Sequence, residues 1–193
     1  MDSQNNITKW VIGAVVVLAL VLGLWWFMGT QSTTQPVVTT STSETSGPGQ
    51  VTITTTSSDV AAVVASISNG GTFASYLSST GVGATLTGKG PYTVFVSTDG
   101  AFSRLTPGTI SALSAAELKR MAQYHIVVGK RLDVDAISSG QIQALSKDTL
   151  NFQVDTTKGA VYVNSGYVLK AYKATNGIVY VINSVLLPPK PTP

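Results

Sequence analysis

The side chains that could carry out chemistry are few in this chain. His125 is the only histidine among 193 residues, and the chain contains no cysteine. Histidine-rich and thiolate metal sites are therefore excluded, and any Ser–His–Asp arrangement would have to use His125. No serine lies in a G-x-S-x-G motif, and Ser165–Gly166 lacks the preceding glycine that this motif needs. We therefore predict that the chain is not an enzyme and that it carries no metal and no cofactor.

Paired carboxylates and paired glycines give equally weak signals. Asp133 and Asp135 alternate along the chain, and such a pair can hold calcium, but too few further oxygen ligands lie near them. We predict that they are solvated surface groups. Two glycine pairs have neither of the spacings that bind phosphate and are predicted to form turns: Gly81 with Gly83, and Gly88 with Gly90.

The stretch around which the folded region is arranged is residues 90–105, which join a buried strand to a helix. Residues 93–96 are rich in β-branched and aromatic side chains and follow a Gly-Pro turn signal. The Ser-Thr-Asp sequence at 97–99 contains the residue types that cap a helix N-terminus, because their oxygens accept hydrogen bonds from unpaired backbone N–H groups. Phe102 and Leu105 follow at helical spacing. The stretch therefore predicts a strand, a capped turn and a short helix.

Three further segments of the first half have helical periodicity. Asp59 is placed to cap the first, Asn-Gly-Gly at residues 69–71 ends it, and residues 114–117 form a Ser-x-x-Glu capping box before the third. The apolar positions recur three and four residues apart, as a helix requires: Val60, Val63, Val64 and Ile67; Phe73, Tyr76 and Leu77; Leu118, Met121 and Ala122.

From residue 126 onward the pattern changes to short β-rich runs separated by turn residues. The Asn-Gly pair at 176–177 is a strong signal for a tight hairpin turn. Helices that come first and strands that come later predict an α+β fold, with the first-half helices packed on an antiparallel, β-rich second half. The predicted strands span residues 126–128, 150–154, 161–163, 167–172 and 178–187.

Three of these segments carry a resemblance to a known family. An aromatic-rich strand ends in Thr-Asp at 98–99 and is followed by Ala-Phe, YHIVVG occupies 124–129, and NGIVYVINSVLLP occupies 176–188. In this order they resemble the signature motifs of the fasciclin domain. The resemblance implies a fasciclin-like fold over residues 59–188 and a role in adhesion or protein interaction. One departure is Ser97, which stands where the family commonly has proline.

The resemblance also implies roles for particular residues. In the family the Tyr-His segment is associated with adhesion, and with integrin binding in animal members, so Tyr124, His125, Ile126 and Val127 are candidate binding residues. The alternative is structural, with the Tyr124 ring packed and His125 hydrogen-bonded to a backbone group where helix becomes strand. We favour it because His125 falls on the apolar face of the preceding helix. Five other motif residues are implied to be structural: Thr98, Asp99, Phe102, Asn176 and Gly177.

Residues 10–28, WVIGAVVVLALVLGLWWFM, contain no charged side chain. A helix of this length spans roughly 30 Å, one hydrocarbon core, and its terminal tryptophans stand where interfacial aromatics belong. We predict an uncleaved transmembrane helix; the alternative, a cleaved signal peptide, needs a shorter apolar region that ends in small residues. Lys9 precedes the helix and no basic residue follows before Lys89. This bias predicts a single-pass protein of the cell membrane, with residues 1–9 inside and the fasciclin-like domain outside.

Residues 29–58 are mostly threonine and serine, with few large apolar side chains. This composition cannot bury enough apolar surface to offset its ordering entropy, so we predict a disordered stalk that is open to O-glycosylation. The alternative for its last part is that Val51, Thr52 and Ile53 pair as a strand. Residues 189–193 are predicted to be a proline-rich tail, because proline cannot continue a strand ladder.

Charged residues make up only 11% of the chain, and the formal net charge is +3. The basic residues are spread along the folded part without a dense run or interleaved aromatics, so we predict a solvated surface and no nucleic-acid partner. We expect a membrane-anchored, surface-displayed module that mediates cell adhesion or contacts the matrix through a protein or glycan partner. The alternative, from another class, is a structural subunit or spacer of a cell-envelope assembly that has no soluble ligand.

Overall fold

The computed structural model describes residues 43–44, 51–134 and 137–190, which form an α+β domain. The predicted membrane span at 10–28 lies outside these residues; within them, no helix has the length and hydropathy needed to cross a membrane. The helices are α1 (Val60–Ser66), α2 (Gly71–Ser79), a 3₁₀ helix (Val82–Thr87), α3 (Asp99–Ser103) and α4 (Ala115–Tyr124). The strands are β1 (Ser43–Glu44), β2 (Thr52–Thr55), β3 (Tyr92–Ser97), β4 (Ile126–Val128), β5 (Gly140–Gln143), β6 (Thr149–Asp155), β7 (Ala160–Val163), β8 (Gly166–Ala174) and β9 (Gly177–Ile182).

The strands form one mixed sheet in the order β4-β3-β9-β8-β7-β6-β5, and β2 lies beside β8. From β5 to β9 the neighbouring strands are antiparallel, as predicted. Strands β3 and β9 instead pair in parallel, from Tyr92 opposite Gly177 to Ser97 opposite Ile182. The prediction of an antiparallel sheet was therefore incomplete. Apolar patterning identifies strands but not their direction, and the long connection between β3 and β9 leaves room for a parallel crossover.

The folded region begins earlier than the predicted boundary at residue 59. Strand β2 lies within the segment predicted to be stalk and pairs in parallel with β8, from Thr52 opposite Lys170 to Thr55 opposite Lys173. Val51 is 3% exposed and belongs to the core. The alternative prediction of a strand in this segment is thus the one that the structure shows, at Thr52–Thr55 in place of 51–53. The β8 edge supplies the hydrogen-bond partners that this polar segment lacks by itself.

The predicted capping residues lie at the N-termini of helices α1, α3 and α4, where they accept backbone hydrogen bonds. Asp59 accepts a hydrogen bond at 2.8 Å from a backbone N–H of the first turn of α1. The Thr98 hydroxyl accepts the N–H of Ala101 at 3.2 Å and caps α3. At α4 the N–H of Glu117 donates to the Ser114 hydroxyl, and the N–H of Ser114 donates to the Glu117 carboxylate at 2.8 Å. These bonds satisfy donors that have no partner within the helix.

Strands β3 and β9 lie at the centre of the core, and every residue of both strands is buried. On one face they pack against α1, α2 and the 3₁₀ helix, where Phe73 and Leu86 are buried. On the other face the rings of Phe95 and Tyr180 stack with centroids 5.6 Å apart, beside Phe152 of β6. Burial on both faces explains why these two strands read as nearly continuous apolar runs.

Candidate functional site

The Tyr-His segment lies where helix α4 ends and strand β4 begins. The exposed fractions of Tyr124, His125, Ile126 and Val127 are 3%, 0%, 0% and 1%. Val128, the last residue of β4, is 45% exposed. The structure therefore places all four candidate binding side chains in the core, which favours the structural interpretation. Their role in binding stays a prediction.

Each ring nitrogen of His125 has partners inside the domain. Nδ1 lies 2.8 Å from the carbonyl oxygen of Met121, one turn back along α4. Nε2 lies 3.1 Å from the backbone nitrogen of Leu186 and 3.0 Å from the hydroxyl oxygen of Ser97. The ring centroid is 4.7 Å from that of Phe73. Because the Met121 carbonyl only accepts and the Leu186 N–H only donates, the neutral imidazole carries its hydrogen on Nδ1.

The environment of His125 opposes a positive charge. Burial lowers the pKa of His125 to about 4, and the hydrogen bond to the Met121 carbonyl offsets this only in part. A second proton would have to sit on Nε2, beside the N–H of Leu186, and the Ser97 hydroxyl oxygen would have to accept it. His125 is therefore neutral at neutral pH, and its role is to join α4, β3 and the segment that follows β9.

Ser97 and His125 have the separation of a nucleophile and its base, and this contact was not predicted from the sequence. Both side chains are 0% exposed, so no substrate reaches them. The Ser97 hydroxyl has a single hydrogen, and the carbonyl oxygen of Ser184, at 2.9 Å, competes for it with Nε2 of His125. The pair therefore links strand β3 to the end of the domain. The one sequence signal for the Ser97–His125 contact was that serine replaces the family's common proline at position 97. Proline has no hydroxyl group that could form a hydrogen bond with a histidine.

Tyr124 holds the other side of the same junction. Its hydroxyl donates to the carbonyl of Thr149 at 2.7 Å and accepts from the side-chain amide of Asn164 at 2.9 Å. Burial raises the pKa of the Tyr124 phenol, so the group stays protonated and able to donate. Close by, Arg120 of α4 forms a two-pronged ion pair with Asp148, with Nε 2.9 Å from one carboxylate oxygen. Helix α4 is thus tied to β6 and to the β7–β8 turn.

The first signature motif is structural in the described domain. The hydroxyl of Thr98 caps α3, and the carboxylate of Asp99 accepts the N–H of Thr72 at 2.8 Å. Hydrogen bonds from the side chain and backbone of Thr72 lower the pKa of Asp99. The Phe102 ring is half-buried, with its centroid 5.5 Å from that of Tyr76 on α2. The motif therefore fastens α2 to α3.

The predicted hairpin joins β8 to β9, but its two-residue loop consists of Thr175 and Asn176, because Ala174 lies opposite Gly177 and Gly177 is the first residue of β9. The Asn176 side chain accepts the N–H of Val60 at 2.8 Å and donates to the carbonyls of Leu86 and Gly88 at 3.1 and 2.9 Å. One side chain thus joins the start of α1 to the end of the 3₁₀ helix. A Cβ atom on Gly177 would lie 2.2 Å from the carbonyl oxygen of Tyr92, so this position requires glycine.

Two open grooves lie on the helical side of the domain. One has a volume of about 570 Å³ and is lined mainly by Tyr76, Phe102, Leu105 and the 106–113 segment. The other, of about 310 Å³, lies between α1, α2 and the 3₁₀ helix. Neither lining includes a carboxylate, a histidine, a lysine or an arginine. Elsewhere Asp133 pairs with Arg131 at 3.0 Å, while Asp135 lies outside the described residues. The described ranges contain no group of three or more side chains suited to a metal ion.

Sequence comparisons agree with the three motifs. Residues 68–188 match the family model of the fasciclin domain. Protein sll1483 of Synechocystis sp. is 38% identical over 109 residues, which cover 54% of this chain and 59% of that protein. Transforming growth factor-beta-induced protein ig-h3 of Oryctolagus cuniculus is 38% identical over 112 residues, 56% of this chain and 16% of that protein. Stabilin-2 of Mus musculus is 33% identical over 132 residues, which cover 64% of this chain and 5% of that protein. The chain spans less than two thirds of each of these relatives.

A comparison of structures gives the same fold. The FAS1 domain pair from the insect cell adhesion molecule Fasciclin I matches with a TM-score of 0.59 and 18% sequence identity, covering 67% of this chain and 51% of that chain. At this identity the likeness concerns the fold alone. The fasciclin-like α+β fold expected from the three motifs is confirmed.

Proposed function

Because the chain belongs to the fasciclin domain family, we propose that it is a cell-adhesion or matrix-interaction module displayed on the cell surface. The three motifs imply an adhesion role by their resemblance to the family, and the structural neighbour comes from an insect cell adhesion molecule. In this proposal the partner is a protein or a glycan, and residues 10–28 hold the module in the membrane.

The observation that supports this function best is that the buried polar side chains of the described residues all have hydrogen-bond partners. Among the described residues, no buried side-chain nitrogen or oxygen lacks a hydrogen-bond partner. His125, the single histidine, is enclosed and bonded at both ring nitrogens. The core therefore holds no polar group in reserve for a substrate or cofactor, and recognition falls to the exposed surface of the domain.

The anchoring part of the proposal rests on the sequence. Residues 10–28 are uncharged and long enough for one bilayer crossing, and Lys9 lies on their N-terminal side. With the N-terminus inside, the chain would carry the fasciclin domain on the outer side. An uncleaved anchor keeps the module attached to the cell that makes it, which an adhesion role requires.

The test is to isolate the full chain from membranes in a mild detergent and to couple it to beads. We expect the purified chain to be free of stoichiometric partners, and its beads to adhere to cells or extracted matrix more than albumin-coated beads do. A stable stoichiometric complex with another envelope protein, together with beads that adhere to nothing, would instead support the structural subunit or spacer.

A further inference from the structure

Acidic and basic side chains are used differently in this domain. The described residues contain seven Asp and Glu and eleven Lys and Arg. One of the seven is Glu44 of β1. The other six carboxylates have partners inside the domain: Asp59, Asp99 and Glu117 accept backbone N–H groups, and Asp133, Asp148 and Asp155 pair with Arg131, Arg120 and Lys158. Seven lysines of the described ranges form no ion pair with these six carboxylates: Lys89, Lys119, Lys130, Lys147, Lys170, Lys173 and Lys190. The described domain therefore carries more cations than its paired carboxylates neutralise.

Three of these lysines and Arg131 meet at one end of the sheet, where β3 and β9 begin and β4 and β8 end. Lys89 lies in the turn before β3, which the Asn176 side chain holds against the start of β9. Lys130 follows β4, and its carbonyl accepts a hydrogen bond from β3 at 2.9 Å. Arg131 donates to the last carbonyl of β8 at 3.3 Å, next to Lys173. We call Lys89, Lys130, Arg131 and Lys173 the basic end.

The acidic groups near the basic end offset only part of its positive charge. Asp59 lies there because α1 begins beside the β8–β9 hairpin, and its carboxylate caps that helix. Asp133 is bonded to Arg131. Lys89 and Lys130 are exposed and Lys173 is half-exposed, so these three charges remain available to a partner.

The remaining groups at this end suit a hydroxylated polyanion better than a protein. Protein interfaces usually need a buried apolar or aromatic centre. Among the described residues, the only large hydrophobic side chain exposed at this end is Val128. Hydroxyl side chains are found instead on segments joined by backbone hydrogen bonds to the end of β8 and to its turn: Thr56, Ser58 and Thr175.

The strands beside β8 run in both directions at the basic end. Strand β2 runs parallel to β8, so it begins at the opposite end of the sheet and finishes beside Lys173. Strand β1 is antiparallel to β2, with Ser43 opposite Thr54, so the described chain first meets the sheet close to the basic end. Strand β9 starts at the basic end and finishes at the opposite end, so the segment after Ile182 is remote from the basic end.

We propose that the basic end binds an acidic polysaccharide. Its carboxylate or sulfate groups pair with Lys89, Lys130 and Lys173, and its hydroxyl groups bond to the neighbouring threonines and serine. The inference rests on the proposed function, because it supplies the partner of the surface-displayed module. Charge pairing of this kind weakens with added salt, since exposed charges are screened over about 10 Å at 0.1 M ionic strength.

The test compares three full-length proteins in a neutral detergent. One is unchanged, one carries Lys89→Gln, Lys130→Gln and Lys173→Gln, and the matched control carries Lys119→Gln, Lys147→Gln and Lys190→Gln away from the basic end. The probes are heparin for sulfate, polygalacturonate for carboxylate, and dextran as a neutral polysaccharide. Because each exposed pair contributes a few-fold, we expect the basic-end variant to bind an acidic probe roughly tenfold more weakly and the control to lose less than about threefold.

Several results would overturn the inference: no binding of the unchanged chain to either acidic probe near 0.15 M salt, equal losses in both variants, or tighter binding to vesicles of anionic lipid than to either polysaccharide. The bead adhesion assay separates this failure from failure of the proposed function. Beads that still adhere to cells with the basic-end variant would leave adhesion standing and remove the acidic polysaccharide as its cause.

Discussion

At the residue scale, His125 combines complete burial with a pKa far below its ordinary value. The free imidazole has a pKa of 6.5, and burial lowers it to about 4. As the pH falls, the unfolded chain therefore takes up this proton before the folded domain does. The contribution of His125 to stability is complete above pH 6.5 and is lost as the pH falls from there towards 4.

We expect the free energy of unfolding to fall by about 2 kcal/mol between pH 7 and pH 5, because the imidazole of His125 takes up a proton in the unfolded chain first. The measurement is urea unfolding of the unchanged domain and of His125→Gln at both pH values. The variant is less stable at pH 7, but it lacks the titration, so the difference between the two proteins should shrink by the same amount at pH 5. The pKa values of Asp99, Glu117 and Asp148 are lowered as well. Their contributions to stability are lost at a more acidic pH than that of His125. Parallel pH profiles for the two proteins would contradict the assignment.

A second prediction separates structure from contact in the Tyr-His segment. His125→Ala removes buried hydrogen bonds and packing and should cost about 1–3 kcal/mol of stability. Adhesion by this variant, or by the double variant with Tyr124→Ala, should fall only as far as the folded population falls. Bead adhesion and the thermal midpoint are measured on the same samples. Loss of adhesion at an unchanged midpoint would make the segment the binding site.

The glycine of the last motif gives a third prediction. Gly177→Ala places a Cβ atom 2.2 Å from the Tyr92 carbonyl oxygen and 2.9 Å from Cγ2 of Val60, so strands β3 and β9 must separate. We expect a loss of at least about 3 kcal/mol in urea unfolding. The matched control is Gly140→Ala, where no atom lies within 4 Å of the added Cβ. Equal stability of the two variants would contradict the required close approach.

At the residue scale, the hydrogen bonds between residues close in sequence were predictable. Thr98, Asp59 and the Ser114–Glu117 box cap helices because their types and spacing decide the hydrogen bond. The partners of His125 were not predictable, because Ser97 lies 28 residues away and Leu186 lies 61 residues away. Only the packing of the finished sheet brings such groups together.

At the scale of elements, local pattern located the α-helices and most strands, but it missed the 3₁₀ helix, strands β1 and β5 and the parallel pairing of β3 with β9, and it gave β2 only as an alternative. Strand β5 reads Gly-Gln-Ile-Gln, with too few apolar residues to give a signal by itself. Strand β2 is a threonine-rich sequence that resembles the rest of the stalk. Both are strands because a neighbouring edge, that of β6 or β8, supplies hydrogen-bond partners. Such pairing is a tertiary effect, and propensity is a weak guide to it.

The fourth prediction follows from the place of β2. A chain lacking residues 1–29 should give a soluble, folded domain, because the described sheet lies beyond that point. Removing residues 1–58 as well takes away β2, the buried Val51 and the half-buried Ile53, and should cost about 2–4 kcal/mol. Urea unfolding of chains that start at 30, 51 and 59 checks this. The first two should agree; equal stability of all three would show that β2 contributes nothing.

At the scale of the whole molecule, the domain has two unlike ends. The basic end carries the turns before β3 and after β4 and the β8–β9 hairpin, whereas β2 begins and β9 finishes at the other end. Strand β1 runs back along β2, with Ser43 opposite Thr54, so the described chain first meets the sheet near the basic end. This arrangement follows from the parallel pairing of β2 with β8 and the antiparallel pairing of β1 with β2. It was invisible in the sequence, because parallel and antiparallel ladders share the same side-chain alternation.

The last prediction concerns the side of the membrane on which the domain lies. Lys9 is the only lysine or arginine before Lys89, so its position next to residues 10–28 favours an inner N-terminus. Protease added to intact cells should then cut between residues 29 and 50 and release the domain, detected by an antibody to the domain in the medium. A chain with Lys9→Gln and two lysines placed after residue 28 should lose this bias and be released less. Protection of the unchanged domain in intact cells, with cleavage only after the cells are opened, would place the domain inside and remove its proposed contact with outside partners.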